Sequence, residues 1–341
     1  MTAEDVARRA GVSRSAVSRT FTEGASVSDR VRQRVLEAAA ALGYRVNRLA
    51  QGLIHKRSNL VGVLGAGLST PYMSAQLDSL SRALLQEDLQ CLLLNAAGGE
   101  SNIKRLIDLI LEFRVRAIVV MSGLPPSAIV RECLANGVRV ILVNTVMEGA
   151  RADTILADDV AGARLAAETL IAAGCRRPAI VSSSAGTGSQ TRRVEASAAR
   201  FTEAGIKAIR WSRGTTSYET GGDAARELLA AHDIDGAFCV TDLLALGFLD
   251  TVRAGGRRVP EDVSVVGFDD IPQAAWLSYR LTTIRHPVAA LTQGVMQAVL
   301  RDAGPRKPMK ILVRLELAER GTVRRRPASS AVGLHAARER S

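Results

Sequence analysis

Residues 5–19 read DVARRAGVSRSAVSR, and this stretch decides how the chain is organised. The apolar residues before Gly11 recur at helical spacing, so they predict a short helix that ends at this glycine, where a left-handed backbone needs no Cβ. Ser13 can cap a second helix over residues 14–22. Two short helices around a glycine turn are typical of a helix-turn-helix, whose second helix enters the DNA major groove. The sequence therefore predicts a head that reads DNA.

A third predicted helix completes this head. Thr2 and Asp5 can form a capping box at the start of the first helix, and Ser28 can cap a helix over residues 29–42 that ends at Gly43. Three such helices can share only a small core. The side chains expected to build it are Val6, Ala7, Ala10, Ala16, Val17, Thr20, Val31, Val35, Leu36, Ala39 and Leu42.

The positive charge is concentrated at the two ends of the chain. The formal net charge is +11; residues 1–58 carry eleven Lys and Arg against five Asp and Glu, and residues 320–341 carry six against one. Residues 59–319 balance at 28 against 28. The alternative is an ordinary surface helical hairpin whose exposed arginines only keep the protein soluble. Such an excess of arginine would not be confined to the two ends of the chain. A neutral body with a basic head is expected where one end meets phosphates.

Several further blocks follow the head in a characteristic order. They read VLEAAAALGYRVNRLAQGL over residues 35–53, SNLVGVL over 58–64, VVGFDDIP over 265–272 and LTTIR over 281–285. Together with residues 5–19 they span nearly the whole chain. In this order and spacing they resemble the lactose-repressor (LacI/GalR) family of bacterial transcription regulators. The resemblance implies a DNA-reading head, a hinge and a ligand-binding body.

The resemblance also supplies roles in DNA binding. Arg14 and Ser15 match two base-contacting positions at the start of the recognition helix, and Arg19 matches a third. Ala50 matches a small hinge residue, and Leu53 matches the hinge leucine that wedges between base pairs from the minor groove. A place in the core of a short helix is the alternative for Leu53, but its neighbours are polar and basic. The predicted DNA-binding residues are Ser13, Arg14, Ser15, Ser18, Arg19, Asn47, Arg48, Ala50 and Leu53.

Beyond residue 59, short apolar strands alternate with helices. This alternation predicts an α/β body with parallel sheets that are covered on both faces. The predicted strands are 61–65, 91–95, 117–121, 138–144, 155–157, 179–182, 237–241, 263–268 and 282–285. The predicted helices include 75–86, 103–113, 127–135, 161–173, 222–231 and 243–254.

The resemblance implies that this body has two lobes of the periplasmic-binding-protein type. The predicted fold is therefore an all-α helix-turn-helix head followed by a two-lobed α/β body. The expected domains are the head at 1–46, the hinge at 47–58, an effector-binding and dimerisation body at 59–322, and a basic mobile tail at 323–341. The expected lobes are 59–158 with 288–315, and 159–287 with 316–322.

A cleft between the two lobes is the expected ligand site, because ligands of open α/β sheets bind beyond the carboxyl ends of the strands. Asp269 ends a strongly apolar strand and matches the family's ligand-binding aspartate, while Arg193 matches the arginine that grips the ligand. Asp242 matches the acid of the family's Asn-Asp pair, although Thr241 stands where the Asn is expected. A helix N-cap is an equal alternative for Asp242.

Two aromatic residues complete the predicted effector site. Tyr72 follows the first strand, where the family usually carries aromatic residues, and Trp276 lies on the loop before Leu281. Trp276 can stack on a sugar face or pack between the lobes. Carboxylate and guanidinium groups favour a polyhydroxyl ligand, so we expect a sugar or a sugar acid as the effector.

Other motifs carry no separate function. The four cysteines Cys91, Cys133, Cys175 and Cys239 lack metal-ligand spacing and are expected to be reduced and structural. We expect no metal, no cofactor and no enzymatic activity, since the glycine-rich stretches fit neither a dinucleotide loop nor a P-loop. No export signal or membrane-spanning run is apparent, so we expect a cytoplasmic protein with no membrane partner.

The predicted function is that of a homodimeric regulator, a repressor by expectation, which binds a pseudo-palindromic operator in double-stranded DNA. A small ligand in the cleft would control operator affinity. The alternative is a solute-binding protein without a DNA role, which the basic head opposes. Deletion of residues 1–57 distinguishes the two, since a regulator would lose operator binding and keep ligand binding, whereas a plain solute-binding protein would lose neither.

Replacement of Arg19 by alanine is predicted to change which operator bases are preferred. A bidentate contact from Arg19 to guanine discriminates by about 1–3 kcal/mol, and the alanine variant loses this discrimination. The measurement is the relative affinity for a set of single-base operator variants. Unchanged relative affinities would exclude a base contact by Arg19.

Overall fold

The computed structural model describes residues 1–22, 24–45, 58–65, 67–96, 99–121, 126–301 and 307–325. The chain divides into two compact units, Met1–Asn59 and Leu60–Ser341. Each unit is described by itself.

The described residues of the first unit form three helices: α1 (Ala3–Ala10), α2 (Arg14–Thr20) and α3 (Asp29–Ala41). The capping box is present, because Thr2 Oγ1 accepts from Asp5 N at 3.3 Å and Asp5 Oδ2 accepts from Thr2 N at 2.9 Å. Gly11 ends α1 with φ 62°, in the left-handed region. Ser13 caps α2 by accepting from Ala16 N. The turn therefore forms from the local signals that predicted it.

Two arginines of α3 hold the ends of the other two helices. Arg32 Nη1 donates to Thr20 O at 2.9 Å, and Arg34 Nη2 donates to the carbonyl oxygen of Ala10. The last carbonyls of a helix lack intrahelical partners, so a guanidinium there satisfies them and complements the helix dipole. Part of the positive charge of the head therefore stabilises its fold.

One predicted core residue of the head is misplaced. Leu36 is 47% exposed, whereas Val35, Ala38 and Ala39 are buried. Successive helical residues are rotated by about 100°, and Leu36 falls beyond the stripe that Val35 and Ala39 define. The prediction that Leu36 packs inward is therefore wrong.

The second unit contains two six-stranded sheets with helices packed against them. The strands are β1 (Leu60–Gly65), β2 (Gln90–Asn95), β3 (Ala117–Val120), β4 (Arg139–Val143), β5 (Asp153–Ala157), β6 (Pro178–Ser182), β7 (Ile209–Ser212), β8 (Gly236–Cys239), β9 (Ser264–Asp269), β10 (Thr282–Arg285), β11 (Lys310–Val313) and β12 (Glu316–Ala318). The helices are α4 (Pro71–Gln86), α5 (Gly99–Glu112), α6 (Ser127–Ala135), α7 (Asp159–Ala172), α8 (Gly188–Glu203), α9 (Tyr218–Ala231), α10 (Asp242–Ala254) and α11 (Val288–Leu300), with a 3₁₀ turn at Pro272–Ala275.

The sheets define two lobes. The first lobe is built on the order β11-β5-β4-β3-β1-β2, and the second on β12-β10-β9-β8-β6-β7. The chain passes between the sheets after β5, after β10 and after β11. Among the described residues, the strand pairs are parallel except β10 with β12, which is antiparallel. The expectation of parallel sheets thus holds for every strand but the last, which is short and lies at an edge.

Several elements were not predicted. Helix α8 is polar and opens with a glycine, and β7 is a short edge strand, so neither carries a strong periodic signal. The closing segment was expected to be a strand and to divide between the lobes after residue 315; it forms two strands, β11 in the first sheet and β12 in the second. None of the helices in the described part of the chain is long and apolar enough to span a bilayer.

The predicted tail begins too early. Thr322 is fully buried, and its hydroxyl donates to Val265 O at 2.7 Å. Arg324 donates from its backbone to Ser264 Oγ at 3.2 Å and from Nη2 to Asp235 O at 3.1 Å. The second lobe therefore continues through Arg324. Residues 326–341 lie outside the described part of the chain.

Helices α9 and α10 approach each other backbone to backbone. A Cβ added at Gly221 would overlap the carbonyl oxygen of Leu244, and one added at Gly247 would overlap the carbonyl oxygen of Tyr218. Both glycines lie in helix interiors, where glycine costs about 1 kcal/mol against alanine. Close helix packing, and not helix propensity, accounts for their presence.

Replacement of Gly247 by alanine is predicted to lower the free energy of unfolding by about 1–3 kcal/mol, because overpacking outweighs the gain in propensity. The matched control is Gly255→Ala at the end of α10, where the nearest atom to the new Cβ is Thr251 O at 3.4 Å. Urea unfolding of both variants provides the measurement. Equal stability of the two would show that the helices can separate without cost.

Candidate functional site

A cavity of about 410 Å³ lies between the two lobes of the second unit. Its size falls within the range of small-molecule sites. The first lobe contributes mainly apolar side chains, which include Pro71, Met73, Met121 and Val143. The second lobe contributes mainly hydroxyl and amide groups, which include Thr187, Ser189, Gln190, Thr216 and Thr241. The cavity is therefore suited to a ligand with one apolar face and one face rich in hydroxyls.

Arg193 lies at the wall of this cavity and is only 4% exposed. Its Nε donates to Asp159 Oδ1 at 2.8 Å, and its Nη1 donates to Asp269 Oδ1 at 3.3 Å. Arg192 also pairs with Asp159, at 2.7 Å from Nη2 to Oδ2. Two guanidinium groups thus face two carboxyl groups.

Three further groups fix the orientation of Arg193. Its Nη1 donates to Val240 O at 2.8 Å, and its Nη2 lies 2.9 Å from His286 Nε2. The guanidinium carbon stands 3.7 Å from the centre of the Phe268 ring, which is a cation–π arrangement. Every nitrogen of the side chain is therefore engaged.

Asp269 lines the cavity at the end of β9. Burial raises the pKa of its carboxyl group, and the guanidinium of Arg193 acts in the opposite direction. Its backbone φ is 124°, and that of Asp270 is 57°. Such values are rare outside glycine and mark a turn that the surrounding structure must enforce.

Asp242 supports this turn and does not line the cavity. It is fully buried; its Oδ2 accepts from Ile271 N at 2.9 Å and its Oδ1 accepts from the Thr283 hydroxyl at 2.6 Å. Burial raises the pKa of Asp242 to about 6. The N-cap of α10 is Thr241, whose side chain does reach the cavity. The sequence predicted that Asp242 either contacts the ligand or caps the following helix. Its position fits neither role, because it does not line the cavity and the N-cap of α10 is Thr241.

Trp276 is also away from the cavity. It follows the 3₁₀ turn, is 56% exposed and is not among the residues that line the pocket. The turn carries the chain from β9 along the outside of the second lobe, so the indole faces solvent. The predicted effector contact by Trp276 is therefore corrected, whereas Tyr72, Arg193 and Asp269 are brought together at the cavity.

Sequence reasoning missed a hydrogen-bonded triangle in the wall of the second lobe. Ser183 Oγ donates to Gln190 Oε1 at 2.9 Å, Gln190 Nε2 donates to Thr216 Oγ1 at 2.9 Å, and the two hydroxyls lie 2.7 Å apart. Since Ser183 uses its single proton on Gln190, Thr216 donates to Ser183. Thr216 lies 26 residues beyond Gln190 in the sequence, so no local pattern could reveal the complete triangle.

Similarity to known proteins agrees with this architecture. Residues 2–47 match the bacterial regulatory proteins of the lacI family, and residues 167–323 match a periplasmic binding protein-like domain. The transcriptional regulator GalS of Salmonella typhimurium is 30% identical over 306 residues, which cover 89% of this chain and 90% of that protein. The chain belongs to the LacI family of bacterial regulatory proteins. It is a DNA-binding transcriptional regulator, and the alternative of a solute-binding protein without a DNA role is set aside.

Other relatives of this LacI-family regulator cover almost its full length. MalR of Streptomyces coelicolor is 30% identical over 336 residues, with coverage of 95% and 96% of the two chains. A Lac repressor dimer bound to operator and the anti-inducer ONPF matches with a TM-score of 0.85 at 25% identity, over 95% of this chain and 99% of that chain. The regulator CelR in complex with cellobiose matches with a TM-score of 0.72 at 27% identity, over 94% and 99%.

The DNA-binding residues predicted on α2 lie at the surface of the head. Arg14, Ser15, Ser18 and Arg19 are exposed, on the side of the helix opposite the buried Val17. Ser13 is exposed too, and its hydroxyl lies 2.9 Å from that of Ser15. The remaining predicted contacts lie outside the described residues; they are Asn47, Arg48, Ala50 and Leu53.

The described part of the chain offers no group of His, Cys, Asp or Glu that could hold a metal ion. The four cysteines are free, and burial raises the pKa of the Cys239 thiol above its ordinary range.

Replacement of Asp159 by alanine is predicted to lower the free energy of unfolding by about 3–5 kcal/mol, because it leaves the buried Arg193 without its nearest counter-ion. The control is Glu203→Ala, which removes the partner of Arg164 from an exposed pair and is predicted to cost about 0–1 kcal/mol. Both values come from urea unfolding. Similar losses in the two variants would contradict the buried-charge argument.

Proposed function

We propose that this LacI-family regulator is a homodimeric repressor whose operator affinity is controlled by a small polyhydroxyl ligand in the cavity between the lobes. The observation that carries the proposal is the joint placement of Asp269 and Arg193 at a cavity walled by both lobes. A carboxylate accepts hydrogen bonds from neighbouring ligand hydroxyls. A ligand seated there contacts both lobes and can therefore change their relative position.

The charges around the cavity favour an uncharged ligand over a sugar acid. Arg192 and Arg193 are paired with Asp159 and Asp269, and each nitrogen of Arg193 is already engaged. A ligand carboxylate would need a cation released from these contacts. The apolar side chains of the first lobe suit the C–H face of a sugar ring, and CelR, a relative of this regulator, is known in complex with cellobiose.

The head supplies operator recognition. Exposed Arg14 and Arg19 on α2 can reach guanine edges in the major groove, and Ser13 and Ser18 can reach phosphates, which position the helix without specifying sequence. Asn47, Arg48, Ala50 and Leu53 would contribute hinge contacts to the minor groove. Two heads in a symmetric dimer would read the two halves of a pseudo-palindromic site.

The second lobe carries a surface suited to a second copy of the chain. Leu277 is 91% exposed and adjoins Trp276. Arg253 Nη1 donates to Ser278 O at 2.6 Å, and Tyr279 donates to Asp250 at 2.9 Å, so the loop is held against α10. Trp276 and Leu277 are apolar side chains on a loop of fixed position, so they are suited to burial in an interface. The Lac repressor, which this chain resembles, is a dimer on its operator.

Ligand and operator binding are then coupled. A ligand that binds one arrangement of the lobes more tightly shifts the population towards it, and the effect on operator affinity is reciprocal. We propose that the ligand releases the operator. The regulator works in the cytoplasm, where its operator is, and no catalytic step belongs to this function.

Replacement of Asp269 by alanine is predicted to abolish the ligand response and to leave operator affinity within about twofold of wild type. The operator is first selected from a random duplex library, and the ligand is found by thermal shift with neutral sugars and sugar acids. Fluorescence anisotropy then measures operator release by that ligand. The exposed Glu203→Ala variant serves as a control with a normal response. Retention of the ligand response in the Asp269 variant would show that this carboxylate does not bind the ligand.

A further inference from the structure

A continuous path of side-chain contacts joins the two lobes through one histidine. His286 lies between β10 of the second lobe and α11 of the first, and its side chain is fully buried. Its Nε2 lies 2.9 Å from Arg193 Nη2 of the second lobe. Its Nδ1 lies 3.0 Å from the Tyr72 hydroxyl of the first lobe. The imidazole therefore touches both lobes through its two ring nitrogens.

The partners of His286 determine where its proton lies. A guanidinium can only donate, so His286 Nε2 must accept from Arg193 and carries no proton. A neutral imidazole must then carry its proton on Nδ1, which faces the Tyr72 oxygen. The contacts therefore select one tautomer out of two.

The Tyr72 hydroxyl continues the path into the first lobe. It accepts from Asn144 Nδ2 at 2.7 Å and lies 2.5 Å from the Gln76 amide, whose oxygen must be the atom that faces it, because the Tyr72 proton needs an acceptor once the oxygen accepts from His286 and Asn144. The orientation of Asn144 is fixed, because its Oδ1 accepts from the backbone N–H of Ala157 at 2.9 Å. Tyr72 and Arg193 both line the cavity. The two cavity residues are thus connected through the ring of His286.

A charged His286 would not fit these surroundings. Arg193 faces it from α8, Tyr72 from α4 and Asp269 from β9, with 3.8 Å between Nε2 and the Asp269 carboxylate. Asp159 is reached only through Arg193. A proton on Nε2 would point at the guanidinium, so the contact with Arg193 would break. In agreement, burial and the charge of Arg193 lower the pKa of His286.

We propose that His286 is a positioning residue of the cavity, which couples Arg193 to Tyr72 across the two lobes and does so only as the neutral Nδ1–H tautomer. The inference deepens the proposed function of the pocket. Its tests use neither effector nor operator, so its failure and that of the proposed function are distinguishable.

The first test reads the tautomer by nuclear magnetic resonance. The chain has four histidines, so the full-length variant with His55→Gln, His232→Gln and His335→Gln retains only His286. Long-range ¹⁵N–¹H correlations of its imidazole are expected to show the neutral Nδ1–H form from pH 7.5 down to pH 5.5. An Nε2–H tautomer, a charged ring or rapid tautomer exchange at neutral pH would overturn the proposal.

The second test reads the energetic cost of protonating His286. The pKa of His286 is lowered in the folded state, so the stability it contributes is present above about pH 6.5 and is lost as pH falls towards the folded-state pKa. Relative to His286→Gln, the folding equilibrium constant of wild type is expected to fall by up to about tenfold per pH unit below pH 6.5. The pKa of Asp269 is raised, so protonation of Asp269 changes the folding stability with pH in the opposite direction. This contribution is common to wild type and His286→Gln, and it cancels when the two stability profiles are subtracted.

The matched control for this test is His232→Gln, because His232 is exposed. Its stability profile is expected to run parallel to that of wild type. Parallel profiles of wild type and His286→Gln would overturn the proposal.

The third test separates positioning from general packing. Glutamine at residue 286 keeps an acceptor for Arg193, whereas leucine fills the space without one. The guanidinium protons of Arg193 are expected to exchange slowly with solvent in wild type and His286→Gln and at least tenfold faster in His286→Leu. Equal protection in all three proteins would show that His286 does not hold Arg193. If the leucine variant does not fold, the tautomer measurement on the triple variant still decides the question.

Discussion

The buried guanidinium of Arg193 constrains how the surrounding helices and strands are arranged. Arg193 is almost fully enclosed, and a buried cation is tolerated only when opposite charges and acceptors surround it. Asp159 begins α7, Asp269 ends β9 and Val240 follows β8, so the ends of three elements must meet at one point. The position of the cavity and the strained turn at Asp269 follow from this requirement.

The head and the body use arginine in two different ways. In the head, Arg32 and Arg34 hold the carboxyl ends of α2 and α1, while Arg14 and Arg19 remain exposed on α2. The net charge of the head therefore overstates the number of side chains available to phosphates and bases. In the body, the buried Arg193 and the half-buried Arg192 pair with aspartates, so a net charge near zero conceals a site rich in charged groups.

The sequence predicted the position of a ligand residue correctly where that position depends on local structure, and incorrectly where it depends on the tertiary fold. Asp269 follows a strongly apolar strand, and strand ends in such sheets face the ligand, so its place was predictable. Asp242 also follows a strand, yet it turns inward to Ile271 and Thr283, because the strained turn needs a buried acceptor. Trp276 is in a loop whose direction no local signal determines. His286 and the Ser183–Gln190–Thr216 triangle depend on contacts between distant segments.

The sequence by itself determined the helix-turn-helix with its caps at Thr2 and Ser13, the alternation of strands and helices, and the family, because these depend on short-range spacing and on the order of motifs. The predicted cap by Ser28 is wrong, since this residue precedes α3 without a side-chain cap hydrogen bond. Only the tertiary structure decided which charged side chains are paired, that Leu36 faces outward, that the second lobe extends to Arg324, and that one histidine links the lobes. The physical reason is that burial and hydrogen-bond partners are properties of segments brought together in space, and each segment alone is compatible with several such partners.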